Sequence, residues 1–431
     1  MADSKANAAW ERLFGSYNIE EDIQRDGFSV LDAATIKQFR EPRLMAKWDS
    51  SEDLPSQLSR RNLNILPISR SSYEVSDFQL YQKFPEDLDD KVQFVNTPNL
   101  ETIDFDDLTS ESNAINAMNI TGILDDFLRA DRTVETFNGR MGTKQFSFDV
   151  DLVHGGSKRV NVNSAQLEID GGFENDDSIV IMEAKNVPHP DFHVRQLYFP
   201  YRLWQGKVKK NIRLVFSQYV DSTYHLFEYS FDDPENYSSI RLLRQANYSF
   251  QSSAITWDDL HKLWDNTRPV TDDNQDQTPI PFIQADHFPR LISLIEKMSK
   301  AKTMTAADIA LYMEFDIRQS SYYASAGKYL EIIENAGHGH GSQLTVLGQK
   351  LMLKKIRDRR LELVRLIIRH QIFHDFLASI FECGELPSRA EVKEKMLTYN
   401  VCAPGETLNR RASSVLGWLR WISMLPTEND E

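Results

Sequence analysis

The order of apolar and polar residues divides the chain into three textures. From about residue 116 to 255, apolar side chains alternate with polar ones at period two, the spacing of half-buried strands. Phe146, Phe148 and Val150 alternate with Ser147 and Asp149. Val160 and Val162 alternate with Asn161 and Asn163, and Leu167 and Ile169 with Gln166, Glu168 and Asp170. Gly171-Gly172 then reads as a turn, and 178–182 as a short buried strand. A helix is predicted over 193–204, followed by strands over 212–219 and 224–229. Strands with interleaved helices imply a mixed α/β layer architecture. Residues 1–115 mix short helix and strand signals with polar breaks. There, 61–68 reads as a strand interrupted by Pro67, 73–84 as a strand or mixed segment, and the acidic stretch after it as a solvated loop. Residues 272–279 are polar and breaker-rich, a linker. Beyond them the period becomes helical, with Leu291, Ile292, Leu294, Ile295 and Met298 on one face. The expected units are 1–115, 116–270, 283–355 and 356–431, the last two mostly helical.

Composition narrows the classes. With 41% hydrophobic and 11% aromatic residues in 431, the chain can bury several cores, and global disorder is excluded. No run of about 18 apolar residues occurs, so no membrane span is predicted. Met1-Ala2-Asp3-Ser4-Lys5 lacks the basic-then-apolar pattern of a secretory signal. Cys383 and Cys402 lack zinc-site spacing and read as ordinary thiols, which suits the cytoplasm. The net charge of −15 opposes indiscriminate coating of nucleic acid. Charge is uneven, however. Glu86, Asp87, Asp89, Asp90, Glu101, Asp104, Asp106, Asp107 and Glu111 face Lys91 alone, while bases cluster at Lys207, Lys209, Lys210 and Arg213 and at Lys354, Lys355, Arg357, Arg359 and Arg360. An acidic chain with local basic patches is compatible with specific DNA binding.

The stretch from Gln166 to Lys185 carries the chemistry. Two strands joined by a glycine-containing turn bring Asp170 near Glu183 and Lys185. Residues two apart on a strand share a face, so Glu183 and Lys185 point the same way, as do Gln166, Glu168 and Asp170. Clustered carboxylates with one ammonium suit phosphodiester hydrolysis. Hard oxygens hold Mg²⁺, and the metal polarises phosphate and acidifies a bound water. The lysine orients or deprotonates that water, or stabilises the developing charge.

An acid, a spacer and then Glu183-Ala184-Lys185 on the following strand resemble the PD-(D/E)XK nuclease superfamily. The resemblance implies a restriction-endonuclease-like core, with Asp170 and Glu183 as metal ligands for Mg²⁺, or Mn²⁺ in its place, and Lys185 as catalytic lysine. Ile169 stands where the nominal motif has proline, which leaves Glu168 to share or replace the role of Asp170. Gln196 resembles a glutamine that some members carry on the next helix. Asp125, Asp126 and Glu135 are candidates for an earlier helical acid. Arg40-Glu41-Pro42-Arg43-Leu44, the 63–70 segment and the 183–204 block look like a group of type II restriction endonucleases.

Two C-terminal segments resemble winged helix-turn-helix units. In the first, Thr305 caps a helix, and Arg318 and Gln319 open the recognition helix, where they would suit guanine and adenine. In the second, from about 372 to 425, a helix capped by Ser388 precedes one that carries Asn409, Arg410 and Arg411, with Trp418 and Trp421 as core. Lys209, Lys210 and the 354–360 run are candidates for phosphate contact. His338-Gly339-His340 reads as a solvated turn rather than a metal site. The N-terminal region reads as scaffold, DNA-reading module or dimer contact. The expectation is a Mg²⁺-dependent type II restriction endonuclease that acts on double-stranded DNA as a homodimer, beside a cognate DNA methyltransferase. The alternatives are a modification-dependent or repair nuclease of the same superfamily, and a non-catalytic winged-helix DNA-binding regulator.

Overall fold

The computed structural model describes residues 4–85, 91–108, 110–250, 254–271, 282–313, 315, 317–337 and 341–426. It is mixed α/β with a mostly helical C-terminal region. The linker expected at 272–279, His338 to His340, and Glu86, Asp87, Asp89 and Asp90 lie outside the described residues.

Residues 4–76 pack helices around a three-stranded antiparallel sheet of Ser29–Asp32, Ser72–Ser76 and Asn64–Pro67, with Ser72–Ser76 in the middle. Pro67 ends an edge strand, where its missing N–H leaves no central ladder bond unmade. Trp10, Leu13, Leu58 and Val75 close this core.

The central sheet has seven strands: β1 (Val92–Val95), β2 (Val134–Gly142), β3 (Gln166–Glu174), β4 (Ser178–Lys185), β5 (Asn211–Val220), β6 (Thr223–Phe231) and β7 (Ile240–Phe250), in the order β1-β7-β6-β5-β4-β3-β2. β4 is buried along almost its whole length, as its unbroken apolar run requires. Helices α1 (Glu111–Ile120) and α2 (Ile123–Leu128) cover one face of it, and α3 (Arg195–Gln205) the other. α3 is the crossover that lets β4 and β5 run parallel. The path α1-β2-β3-β4-α3-β5 is therefore a helix, three antiparallel strands, a crossover helix and a parallel strand.

Gly171 and Gly172 do not form the turn expected of them; both lie inside β3. A Cβ at Gly172 would fall 2.4 Å from the Phe137 carbonyl oxygen, so glycine there permits close approach of β2. The turn lies three residues later. Asn175 closes it, its Oδ1 accepting from the backbone N–H of Asp177 at 3.1 Å and of Ser178 at 2.8 Å. Pairing of β3 with β2 also slips. Phe137 opposes Gly172 but Gly139 opposes Ile169, so two steps on β2 span three on β3. This bulge falls at Asp170-Gly171. In consequence Ile169 packs toward α3 while Phe173, four residues on, packs toward α1.

The C-terminal region begins with α4 (Phe288–Ala301), whose buried face carries the predicted Leu291, Ile292, Leu294, Ile295 and Met298. β8 (Thr303–Met304), α5 (Ala306–Met313), α6 (Ile317–Tyr329), β9 (Ile333–Asn335) and β10 (Ser342–Leu344) follow, with the strands ordered β8-β10-β9. Thr305 caps α5 as predicted, exchanging hydrogen bonds with Asp308. Then come α7 (Ile356–Ile368), α8 (Gln371–Cys383), α9 (Arg389–Thr398), capped by Ser388, and α10 (Glu406–Ser423). No strand accompanies this last group among the described residues. α10 is instead a core helix, with Trp418 buried against Phe288 and Phe373.

Candidate active site

β3 and β4 pair as far as Met182 opposite Gly171, and there the ladder stops. The next inward N–H of β4, that of Ala184, donates instead to Asp170 Oδ2 at 3.0 Å. The aspartate thus stands at the point where the two strands part, aimed there by the bulge. β4 itself stays straight, because its pairing with β5 runs on to Lys185 opposite Gln218. Met182 and Ala184 face α1, so Glu183 and Lys185 face α3. Lys185 Nζ lies 2.7 Å from Glu183 Oε1, and Gln196 Nε2 donates to the same oxygen.

Two further carboxylates complete the cluster. Glu111 lies half-buried in the first turn of α1, where the helix end favours negative charge and Ser110 Oγ accepts from Asn113 N–H at 3.1 Å. Its charge is felt by Asp170, Lys185 and Asp49. Asp49, from the N-terminal unit, places Oδ2 3.7 Å from Lys185 Nζ and 3.5 Å from Lys47 Nζ. Its other oxygen, Oδ1, is buried without a hydrogen-bond partner.

The electrostatics follow from burial among these charges. Burial lifts Glu183 to about 8, with Lys185 opposing and Asp170 and Asp49 adding to the rise. Burial would also lift Asp49, but Lys185, then Lys47, Arg195 and His193, hold it down to about 2. Burial pulls the Lys185 ammonium toward losing its proton. Glu183, Asp49, Asp170 and Glu111 outweigh it, and the ammonium persists well above its ordinary range. Among the described residues no three carboxylate, imidazole or thiolate groups converge closely enough to chelate a metal ion unaided.

The remaining sequence candidates go elsewhere. Glu168 is exposed and pairs with Arg140 at 3.2 Å across β2 and β3, so it does not share the role of Asp170; the bulge separates their directions. Asp125 accepts the Thr133 N–H at 3.0 Å, Asp126 the Tyr248 hydroxyl at 2.6 Å, and Glu135 the Asn138 amide at 2.6 Å. None of the three joins the cluster. The helix-borne acid that faces the cluster is Glu111, at the end of a stretch whose sequence reads as a solvated loop. A serine cap and an acid at a helix start were the signal. Asp49 had no local signal at all.

The basic candidates also divide. Arg318 is exposed and Gln319 half-buried at the start of α6; Asn409 and Arg410 are exposed on α10. Arg411 is only 4% exposed and faces the Val401 carbonyl at 3.5 Å, so it cannot reach DNA. Lys209 is exposed, while Lys210 is tied to Glu174 and to the Asn175 carbonyl, each at 2.7 Å. Arg213 forks onto Glu228 at 2.6 and 2.8 Å. Arg359 and Arg360 are buried against Glu296 and Asp221, so this part of the 354–360 run fastens the helical region rather than meeting phosphate. Cys383 and Cys402 are free thiols.

Three family models match the chain, each described as a domain of unknown function: DUF6996 over residues 7–75, DUF6997 over 76–249 and DUF7226 over 290–427. No curated protein and no solved structure matches it. Glu111, Asp170, Glu183, Lys185 and Gln196 fall in the second match, and Asp49 in the first. No helix among the described residues is long and apolar enough to cross a membrane.

Proposed function

We propose that the chain is a Mg²⁺-dependent deoxyribonuclease of the PD-(D/E)XK superfamily, cutting double-stranded DNA at a short sequence as type II restriction endonucleases do. One observation carries this reading. Where β3 and β4 part, Asp170, Glu183 and Lys185 meet Gln196 of the crossover helix and Glu111 of the preceding helix. The path α1-β2-β3-β4-α3-β5 supports a restriction-endonuclease-like core around them.

The donor chemistry fits Mg²⁺, which takes one or two protein carboxylates and fills its shell with water and phosphate. Asp170 and Glu183 would hold it, with Glu111 beside them. The carboxyl groups of Asp49, Asp170 and Glu111 gather round Glu183, which burial holds protonated to about 8, so a divalent cation bound there would offset their charge and draw off its proton. When bound, the ion supplies Lewis-acid polarisation of the phosphate and a more acidic water. Lys185 stabilises charge growing on the phosphate oxygens or orients the attacking water. Gln196 fixes the Glu183 carboxyl by holding one oxygen.

The order α4-β8-α5-α6-β9-β10 is that of a winged helix, and Arg318 and Gln319 open its second helix, which supports a base-reading role. The strandless helices α7 to α10 support a fastening role for the second segment instead. Cutting both strands calls for two active sites, hence a homodimer, beside a cognate methyltransferase. The test is incubation with phage DNA and Mg²⁺, which yields discrete fragments that Lys185→Ala does not. A second reading, a non-catalytic DNA-binding regulator, draws on the winged-helix order of α4 to β10. Calorimetric titration with Mn²⁺ in the presence of DNA separates the two, since the regulator takes up no metal.

A further inference from the structure

The N-terminal unit reaches the site through residues 47–53, and this segment is fixed from several directions. His193 N–H donates to the Asp49 carbonyl at 2.9 Å, and the Tyr81 hydroxyl to the Trp48 carbonyl at 3.2 Å. Ser50 Oγ and Ser51 N–H both donate to Asp191 Oδ1 at 2.7 Å. Glu52 accepts from Arg290 of α4 at 2.9 Å, and the same guanidinium donates to the Pro188 carbonyl just beyond β4. So many anchors on one short segment hold its backbone rigidly beside β4. The side chain they present is Asp49, 9% exposed, with Oδ2 toward Lys185 and Oδ1 buried and unpartnered. A buried carboxylate oxygen without a partner is costly, and the anchoring keeps it in place. Glu183 is the closer carboxyl to Lys185, and Gln196 holds the same oxygen. The ammonium therefore bonds a carboxyl of β4 and lies within ion-pair reach of a carboxylate of another unit.

We propose that Asp49 is a positioning residue for Lys185, so that the N-terminal unit is part of the catalytic unit and not a separate module. Asp49 gives the ammonium a second carboxylate beside its hydrogen bond to Glu183, and so sets where it meets the substrate phosphate. The activity arm of the test rests on the nuclease reading; the structural arm does not.

The experiment compares the full-length wild type with Asp49→Asn and Asp49→Ser in plasmid cleavage with Mg²⁺, in thermal melting and in crystal structures. A displacement of about 1 Å at a catalytic group costs on the order of 10²-fold in turnover. The expected result is that loss in kcat for both variants, with KM for DNA and the melting temperature unchanged and Lys185 Nζ turned away from position 49. Wild-type turnover in either variant overturns the proposal, as does an unmoved Lys185. A kcat loss that merely follows a fallen melting temperature overturns it too. If the wild type itself cuts no DNA, the nuclease reading fails alone, and the position of Lys185 in the variant crystals still decides the role of Asp49.

Discussion

Replacing Glu183 by glutamine should stabilise the protein while it abolishes the proposed chemistry. In the fold, burial and the carboxylates of Asp170 and Asp49 lift Glu183 from an ordinary 4.5 to about 8, against the pull of Lys185. Each pH unit in that interval is worth about 1.4 kcal/mol, so ionising Glu183 in place costs on the order of 5 kcal/mol above pH 8. The direction follows from proton binding. The folded carboxyl keeps its proton where the unfolded one has lost it, so stability falls as pH rises from the ordinary carboxyl value toward 8. Glutamine removes the titration and keeps an oxygen for Lys185 and Gln196. The assay is urea unfolding of wild type and Glu183→Gln in chelator, followed by tryptophan fluorescence at pH 6 and pH 8.5. The variant should be the more stable, by a margin that widens by roughly 2–3 kcal/mol between the two pH values. A margin that does not change with pH, or a variant less stable at pH 8.5, refutes the reasoning.

Glu111→Gln should lower plasmid cleavage on the order of 10²-fold, while Glu168→Gln leaves it within about twofold, because only Glu111 faces the cluster; rate measurements at saturating DNA decide. Mn²⁺ binding by calorimetry should release a proton below pH 8 and tighten as pH rises toward 8, because Glu183 must ionise to serve as a ligand. Removing Glu228 should cost about 3–5 kcal/mol in urea unfolding, since it strands the Arg213 guanidinium, whereas removing Arg213 should cost less, because Arg244 still pairs with Glu228. Arg318→Ala should weaken DNA binding by gel shift, whereas Arg411→Ala should lower the melting temperature and leave affinity per folded molecule unchanged.

Much of the site was legible because strands write their faces into sequence. Glu183 and Lys185 sit two apart at the end of an apolar run, and period two fixes them on one side of a central strand. The helix after that strand could be read from the sequence, while Gln196 on it was singled out only by the resemblance to the nuclease superfamily. What period two cannot reveal is a break in itself. The bulge at Asp170-Gly171 sends Glu168 to the surface and Asp170 to the strand fork, and it leaves both glycines in a strand rather than a turn. Glu111 was hidden among the acids of a loop-like stretch, although Ser110 marked a helix start. Asp49 comes from contacts between units more than a hundred residues apart in sequence. Arg213, Arg359, Arg360 and Arg411 proved to be internal for a related reason. Exposed and buried arginines look alike in sequence until a carboxylate such as Asp221 or Glu228 arrives from another element.

The central claim is that Lys185 and its carboxylates cut DNA. The most direct test is end-mapping on unmethylated phage DNA incubated with Mg²⁺ and wild-type protein, with Lys185→Ala alongside. The account predicts discrete fragments sharing one terminal sequence from the wild type, none from the variant, and equal DNA affinity for both. Intact DNA from the folded wild type with either Mg²⁺ or Mn²⁺, or the same fragments from Lys185→Ala, would contradict it.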